Sequence, residues 1–356
     1  MKKRIIKITA GVLVTIFVLY ALQRVLMPKY VSEAQDGRLI AEYYDSAKNH
    51  DVIFIGDCEV YENISPVTLW ESYGISSYVR GSPQQLIWHS YYLMEETLKY
   101  EKPKAFVFNV LSMKYGEPQS EAYNRLALDG MRWSSSKVNS IKASMMEDEE
   151  FISYVFPLLR YHDRWNELKK EDFQYAFDDV PQLSINGYLM RVDVDGIEKL
   201  KTGQELGDYS FADVCWEYLD KMRVLCEENG VELILMKAPT GTRQWYWYDQ
   251  WDAQIVEYAI EHDLKYYNFL KVIDEIGLDY TTDTYDKGGH LNLSGAEKLT
   301  KYFGKLLRRK HNMTGHRHDR VYEEIWTELA QQHEQIKKKQ EDLLAKNGKL
   351  TGFTGL

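Results

Sequence analysis

A thiol and an imidazole stand near opposite ends of this 356-residue chain, each beside a carboxylate and glycine. Cys58 follows Gly56-Asp57, and His290 sits in Asp286-Lys-Gly-Gly-His290-Leu-Asn292. A thiol, an imidazole that takes its proton and a carboxylate that orients the ring are the parts of an activated nucleophile. Asp286 lies four residues before His290, and Asp283 is a second candidate for the orienting carboxylate; reach to the imidazole favours Asp286. A free thiol has a pKa near 8.5, and a position at a helix start lowers it. Each residue also has an ordinary reading: a lone cysteine is commonly inert and buried, and a histidine in a loop is commonly just solvated.

Short apolar runs must position these groups. Asp51-Val-Ile-Phe-Ile-Gly56, Lys104–Val110, Val231–Met236 and Leu264–Phe269 read as buried strands. Helical patterns cover about 83–100, 212–228 (stopping at Asn229-Gly230) and 249–262, with a last one from Ser294, a plausible N-cap, to about Leu307. Strands alternating with helices predict an α/β fold with a parallel sheet covered on both faces. In such folds ligands bind beyond the carboxyl ends of the strands. Cys58, just past the first strand, and His290, just before the last helix, both belong there. Residues 112–210 break the rhythm with Tyr, Trp, Met and charge, and read as a large, mostly helical insertion or cap. A charged helical pattern at 318–347 carries Val321, Ile325, Leu329 and Ile336 roughly in phase. It reads as a helix packed on the domain or, alternatively, as a partner or membrane-surface helix.

The N-terminus sets the compartment. Ile8 to Leu22 is continuously apolar or small, with Lys7 and Arg24 at its ends, and roughly 20 such residues cross a bilayer. Lys2, Lys3, Arg4 and Lys7 precede the span, whereas Glu33 and Asp36 follow it, so the positive-inside rule predicts a cytoplasmic N-terminus. Leu22-Gln23-Arg24 is a poor cleavage site, which favours a retained anchor over a signal peptide. The expectation is a single-pass plasma-membrane protein with its main domain extracytoplasmic. Its segments are a stub and anchor (1–29), a helical neck (30–50), a main domain (51–310) and a C-terminal helical extension (311–356). The formal charge is −10, and residues 1–29 hold six Lys/Arg and no acid, leaving the remainder near −16. That surface argues against nucleic acid or anionic lipid as the main partner. Cys58, Cys215 and Cys226 make no disulfide framework.

Gly-Asp-Cys after the first strand and Asp286…His290 before the last helix, in this order, resemble the SGNH/GDSL hydrolase superfamily. Gly81 in Arg80-Gly-Ser-Pro83 falls where that family has its second-block glycine, and Asn109 near its third-block asparagine, without the usual Gly-x-Asn. Ser65-Pro66, Leu69-Trp70, Gln84-Gln85 and Tyr91-Tyr92 resemble the membrane-anchored extracytoplasmic members of Gram-positive bacteria, similar to teichoic acid D-alanyl transfer and alginate O-acetylation proteins. The similarity covers about 51–110 and 210–308. It implies a flavodoxin-like three-layer α/β/α domain. It also implies a Cys58–His290–Asp286 site with the Gly81 and Cys58 amides and the Asn109 side chain as oxyanion donors. The chemistry implied is acyl transfer or ester hydrolysis on an envelope glycan or teichoic acid, beside a membrane-bound O-acyltransferase and with no cofactor. Two departures stand out: cysteine replaces the family's serine, and the Asp–His spacing is one residue longer, which Gly288-Gly289 can absorb.

Trp245-Tyr-Trp-Tyr-Asp-Gln-Trp251 follows the third apolar run, so its rings either stack on sugars or pack beneath the insertion. Asp57, Trp245, Trp247 and Asn292 are the candidate substrate contacts. No Gly-x-Ser-x-Gly elbow, Walker loop, dinucleotide fingerprint or zinc motif occurs, and His316-x-His318 reads as a surface pair rather than a metal site. Three functions stay open: envelope acyltransferase, envelope carbohydrate esterase, and a catalytically inactive glycan-binding or scaffold protein.

Overall fold

Side-chain alternation along five strands decides the layering. The computed structural model describes residues 1–29, 37–198, 203–241 and 247–355. The strands β1 (Val52–Gly56), β2 (Ser77–Gly81), β3 (Ala105–Asn109), β4 (Glu232–Lys237) and β5 (Lys265–Asn268) form one parallel sheet in the order 2-1-3-4-5. Successive residues of a strand point to opposite faces. Val52, Phe54, Val107, Ile234 and Met236 therefore enter one core, and Ile53, Ile55, Phe106, Phe108, Leu233 and Leu235 the other.

Helices close both faces. Alongside α1 (Lys2–Leu26), the helices are α2 (Pro66–Tyr73), α3 (Ile87–Thr97), α4 (Asp213–Asn229), α5 (Asp249–Glu261), α6 (Leu293–Lys310) and α7 (Arg320–Asn347). α2, α6 and α7 bury Leu69, Phe303 and Ile336 on the first face, and α3, α4 and α5 bury Trp88, Met222 and Ile255 on the second. The chain is thus an α/β protein with a five-stranded parallel sheet and one N-terminal apolar helix. α4 ends where Gly230 takes a left-handed conformation (φ 60°), matching the Asn-Gly stop.

The fifth strand, β2, was hidden in sequence by Arg80. Its guanidinium is fully buried, donating to the Leu93 carbonyl (3.0 Å) and Thr97 Oγ1 (2.8 Å), and lies 4.0 Å from the centre of the Tyr43 ring. A charge in a short run reads as a turn until its partners are known. β2 is an edge strand, and the returning limb of the insertion covers it: Val79 N–H donates to the Asn186 carbonyl (2.9 Å) and Asn186 Nδ2 to that of Ser77 (3.1 Å).

The insertion is built of short helices, including Glu121–Leu128, Ser135–Ser144, Phe151–Val155, Leu158–Tyr161 and Lys170–Gln174, followed by an extended limb. α7 packs on the domain. Trp326 stacks on Trp70 with ring centres 5.2 Å apart, and Gln340 bonds the main chain of Met190 and Val192. Of its apolar residues, Ile336 is buried whereas Val321 points outward. In the neck, residues 30–36 lie outside the described residues, and Leu39, Ile40 and Tyr43 anchor its remainder in the core.

α1 is long and apolar enough to cross a bilayer. Its side chains are exposed from Lys2 to Tyr20, and only its last turn meets the domain.

Candidate active site

β1 ends at Gly56, and the chain turns at once into a single helical turn, Cys58–Tyr61. A Cβ on Gly56 would lie 2.6 Å from Val60 Cγ2 and 3.0 Å from Asn109 Cβ, so only glycine lets the turn close against β3. Asp57 caps the turn by accepting the Glu59 N–H (3.2 Å). Cys58 is the first residue of the turn, partly exposed at the carboxyl edge of the sheet, and its amide has no acceptor within the turn.

His290 arrives from the loop before α6. Lys287 (φ 62°) and Gly288 (φ 89°) both adopt left-handed conformations, which takes up the long Asp–His spacing. Asp286 wraps around this bend. Its carboxylate accepts the His290 N–H (2.7 Å) and contacts His290 Nδ1 (2.7 Å). A Cβ on Gly289 would lie 2.5 Å from Asp286 Oδ2, so the second glycine leaves space for the carboxylate rather than supplying the bend. With Nδ1 engaged by Asp286, His290 stands beside Cys58, close enough for the imidazole to pull the thiol pKa down against burial. The loop is held by Leu291 N–H to Asn63 Oδ1 (2.9 Å), Lys287 N–H to the Asp195 carbonyl (2.7 Å) and Gly241 N–H to the Gly288 carbonyl (2.7 Å).

Asp283 is not the orienting group. Its carboxylate accepts from Asp279 N–H (2.8 Å), Ser294 Oγ (2.8 Å) and Lys298 Nζ (2.7 Å), and so fastens the start of α6. Asn292, rather than Ser294, caps that helix. Its Oδ1 accepts the Gly295 N–H and its Nδ2 donates to the Asp193 and Thr282 carbonyls, so the side chain is buried and committed to the fold rather than to a substrate. Trp247 is likewise a core residue: it is 3% exposed and packs against Phe211 and Trp251. Trp245 lies outside the described residues.

Asn109 needs a correction as an oxyanion donor. Its Nδ2 donates to Asp57 Oδ1 (3.3 Å) and Glu59 Oε2 (3.0 Å), and its Oδ1 accepts the Ala238 N–H (3.1 Å). Both amide hydrogens are directed at carboxylates, leaving none for a ligand. Asp57 is buried in the same network and is not open to substrate. Burial, and then Glu59, push its carboxyl up to about 6. Gly81 pairs across from Gly56; a Cβ there would lie 2.8 Å from the Gly56 carbonyl and 3.1 Å from the Tyr61 ring.

Two further carboxylates surround the pair. Glu62 is buried one turn after Cys58, with Oε2 3.8 Å from His290 Nδ1, and it accepts the Tyr285 hydroxyl. Glu59 forms a buried ion pair with Lys237 at the end of β4 (2.7 Å). Neither was singled out in sequence. Glu62 stands four residues from Cys58, the spacing of one helical turn, and Lys237 is a charge that ends an apolar run.

These surroundings set the protonation of the pair. Burial pushes the Cys58 thiol up to about 11, with His290 pulling the other way. Burial acts to lower the His290 pKa, but Glu62, Cys58 and Asp286 together outweigh it and hold the imidazolium well above its ordinary range. A lone thiolate is therefore disfavoured here, and the anion forms as an ion pair with the imidazolium. Because the Glu62 charge also raises the Cys58 thiol, Glu62→Gln should move the onset of Cys58 reactivity to lower pH. The check is the pH dependence of Cys58 alkylation by iodoacetamide, read on the Cys58 peptide; an unmoved or higher midpoint would count against this role for Glu62.

No protein-family model matches the chain, and no curated protein matches it.

Proposed function

We propose that this chain performs acyl transfer outside the cytoplasm, moving an acyl group onto a cell-envelope polysaccharide or teichoic acid through Cys58, His290 and Asp286. The observation that supports the reading is the Asp286 carboxylate held 2.7 Å from His290 Nδ1, with Cys58 the neighbouring thiol at the carboxyl edge of a parallel sheet. In this reading the domain is an SGNH-like hydrolase domain with cysteine in place of serine. α1 is a single-pass anchor whose basic N-terminal flank faces the cytoplasm, and the acyl donor comes by way of a membrane-bound O-acyltransferase.

The chemistry in this reading is nucleophilic acyl transfer through a thioester. His290 takes the Cys58 proton while Sγ attacks the carbonyl carbon of an acyl ester, forming a C–S bond. As the tetrahedral intermediate collapses, the ester C–O bond breaks and His290 returns the proton to the departing oxygen. An acceptor hydroxyl then gives its proton to His290 and attacks the thioester, which releases the thiol. The Cys58 and Gly81 amides are the oxyanion donors in this scheme, with Asn109 acting indirectly by holding the turn. Asp286 keeps the ring aligned and balances the imidazolium. Transfer in this scheme requires the bound acceptor to shield the partly exposed thioester from water.

Nitrophenyl acetate is the direct test. Intact mass and peptide mapping should find one acetyl group, on Cys58. An unmodified Cys58, together with an unchanged envelope when Cys58 is replaced by alanine, would leave the inactive binding or scaffold reading.

A further inference from the structure

The segment that grips the end of α1 also carries a dense run of exposed large apolar side chains. The helix Leu158–Tyr161 and the helix Lys170–Gln174 pack against α1, Arg24 Nε donates to the Ala176 carbonyl, and Arg164 donates to that of Leu26. Within this wrap Ile152, Phe156, Leu159, Trp165, Phe173 and Phe177 point outward, Trp165 being 67% exposed. Among the described residues that follow α1, fifteen large apolar side chains are exposed, and these six fall in one short stretch. Exposed apolar residues scattered singly are ordinary, whereas a contiguous set marks an interaction surface.

The depth of this surface identifies what covers it. From Ile5 to Leu22, α1 measures about 27 Å at the rise of ~1.5 Å per residue, close to a hydrocarbon core of roughly 30 Å. Arg24 and Leu26, where the segment attaches, therefore stand at the headgroup level. Aromatic side chains concentrate at that level, and interfacial elements bury apolar faces about 5–10 Å into the headgroup boundary. Lys169 and Lys170 are exposed between Trp165 and Phe173, and such side chains reach from an apolar surface to headgroups.

We propose that residues 152–177 form an interfacial membrane-binding surface, whose aromatic side chains sit in the leaflet at the exit of α1 and fix the orientation of the domain on the bilayer. The inference rests on α1 spanning the membrane, and the two can be tested separately. The full chain is reconstituted into vesicles of phosphatidylcholine and phosphatidylglycerol, with phosphatidylcholine brominated near the top of its acyl chains. Flotation with the vesicles reads the anchor; quenching of tryptophan fluorescence reads the surface, since α1 contains no tryptophan. Trp165→Phe should lose roughly half or more of the quenched signal and still float, while Trp133→Phe, in the turn before the Ser135–Ser144 helix, should keep it. Flotation with equal quenching in Trp165→Phe and the parent, or with none in either, would overturn the lipid surface and leave it to a protein partner. Failure to float would overturn the anchor and this proposal with it.

Discussion

Cys58→Ala should fold like the parent chain and lose acyl turnover by roughly 10^3- to 10^5-fold, the range seen when one member of a nucleophile–base–carboxylate unit is removed. The substitution deletes a single partly exposed sulfur from the first position of a helical turn, where alanine has the same backbone preferences. Turn geometry is set elsewhere, by the Asp57 cap, Gly56 and the Asn109 network, so the loss reports chemistry rather than folding. Ester turnover and acetyl incorporation measured on the same preparation check it, with a thermal melt to confirm the fold. Retention of more than about a tenth of the turnover would exclude Cys58 as the nucleophile. The other two cysteines are not substitutes. Both lie on α4, and burial pushes each thiol up to about 12.

Lys237→Met should be the most destabilising single change near the site. Lys237 Nζ bonds both oxygens of Glu59 (2.8 and 2.7 Å) and the Ala238 carbonyl (2.7 Å), with both side chains essentially fully buried. Breaking a buried pair by removing one partner leaves an uncompensated charge and typically costs about 3–5 kcal/mol. Replacing both partners is often close to neutral, so Glu59→Gln with Lys237→Met should recover most of the loss. Urea unfolding of the full chain in detergent reads both. A loss below about 1 kcal/mol for the single change, or a double variant no more stable than it, would show that the pair does not hold the turn. The pair ties the Cys58 turn to the end of β4, which explains why a charged pair sits directly behind a candidate nucleophile.

The skeleton of this arrangement was legible in sequence because it depends on local signals. Apolar runs marked four strands, Asn229-Gly230 marked the end of α4, and the Gly-rich loop marked where His290 approaches the sheet edge. Long-range partners were not legible. Arg80 concealed β2 because its neutralising contacts come from the neck and α3. Asn109 occupies a position that suggests an oxyanion donor, but its hydrogens are claimed by Asp57 and Glu59, and nothing in its own segment signals that. Trp247 and Asn292 are aromatic and polar residues beside the site in sequence that prove to be core and cap. Composition cannot distinguish a ring stacked on sugar from one stacked on Phe211. Glu62 was within reach, at one helical turn from Cys58, yet its effect on His290 depends on a loop more than 220 residues away.

α1 and the apolar stretch it meets give the site an address, but the chemistry stands or falls on the fate of one thioester. Acetyl-Cys58, prepared with nitrophenyl acetate and freed of excess reagent, should decay slowly in buffer. On addition of a polyol or glycan acceptor it should decay several-fold faster, with the acetyl group recovered as an ester on the acceptor. Decay at the same rate with and without acceptor, yielding only acetate, would contradict transfer and make the chain an esterase; no acetyl-Cys58 at all would contradict the nucleophile itself.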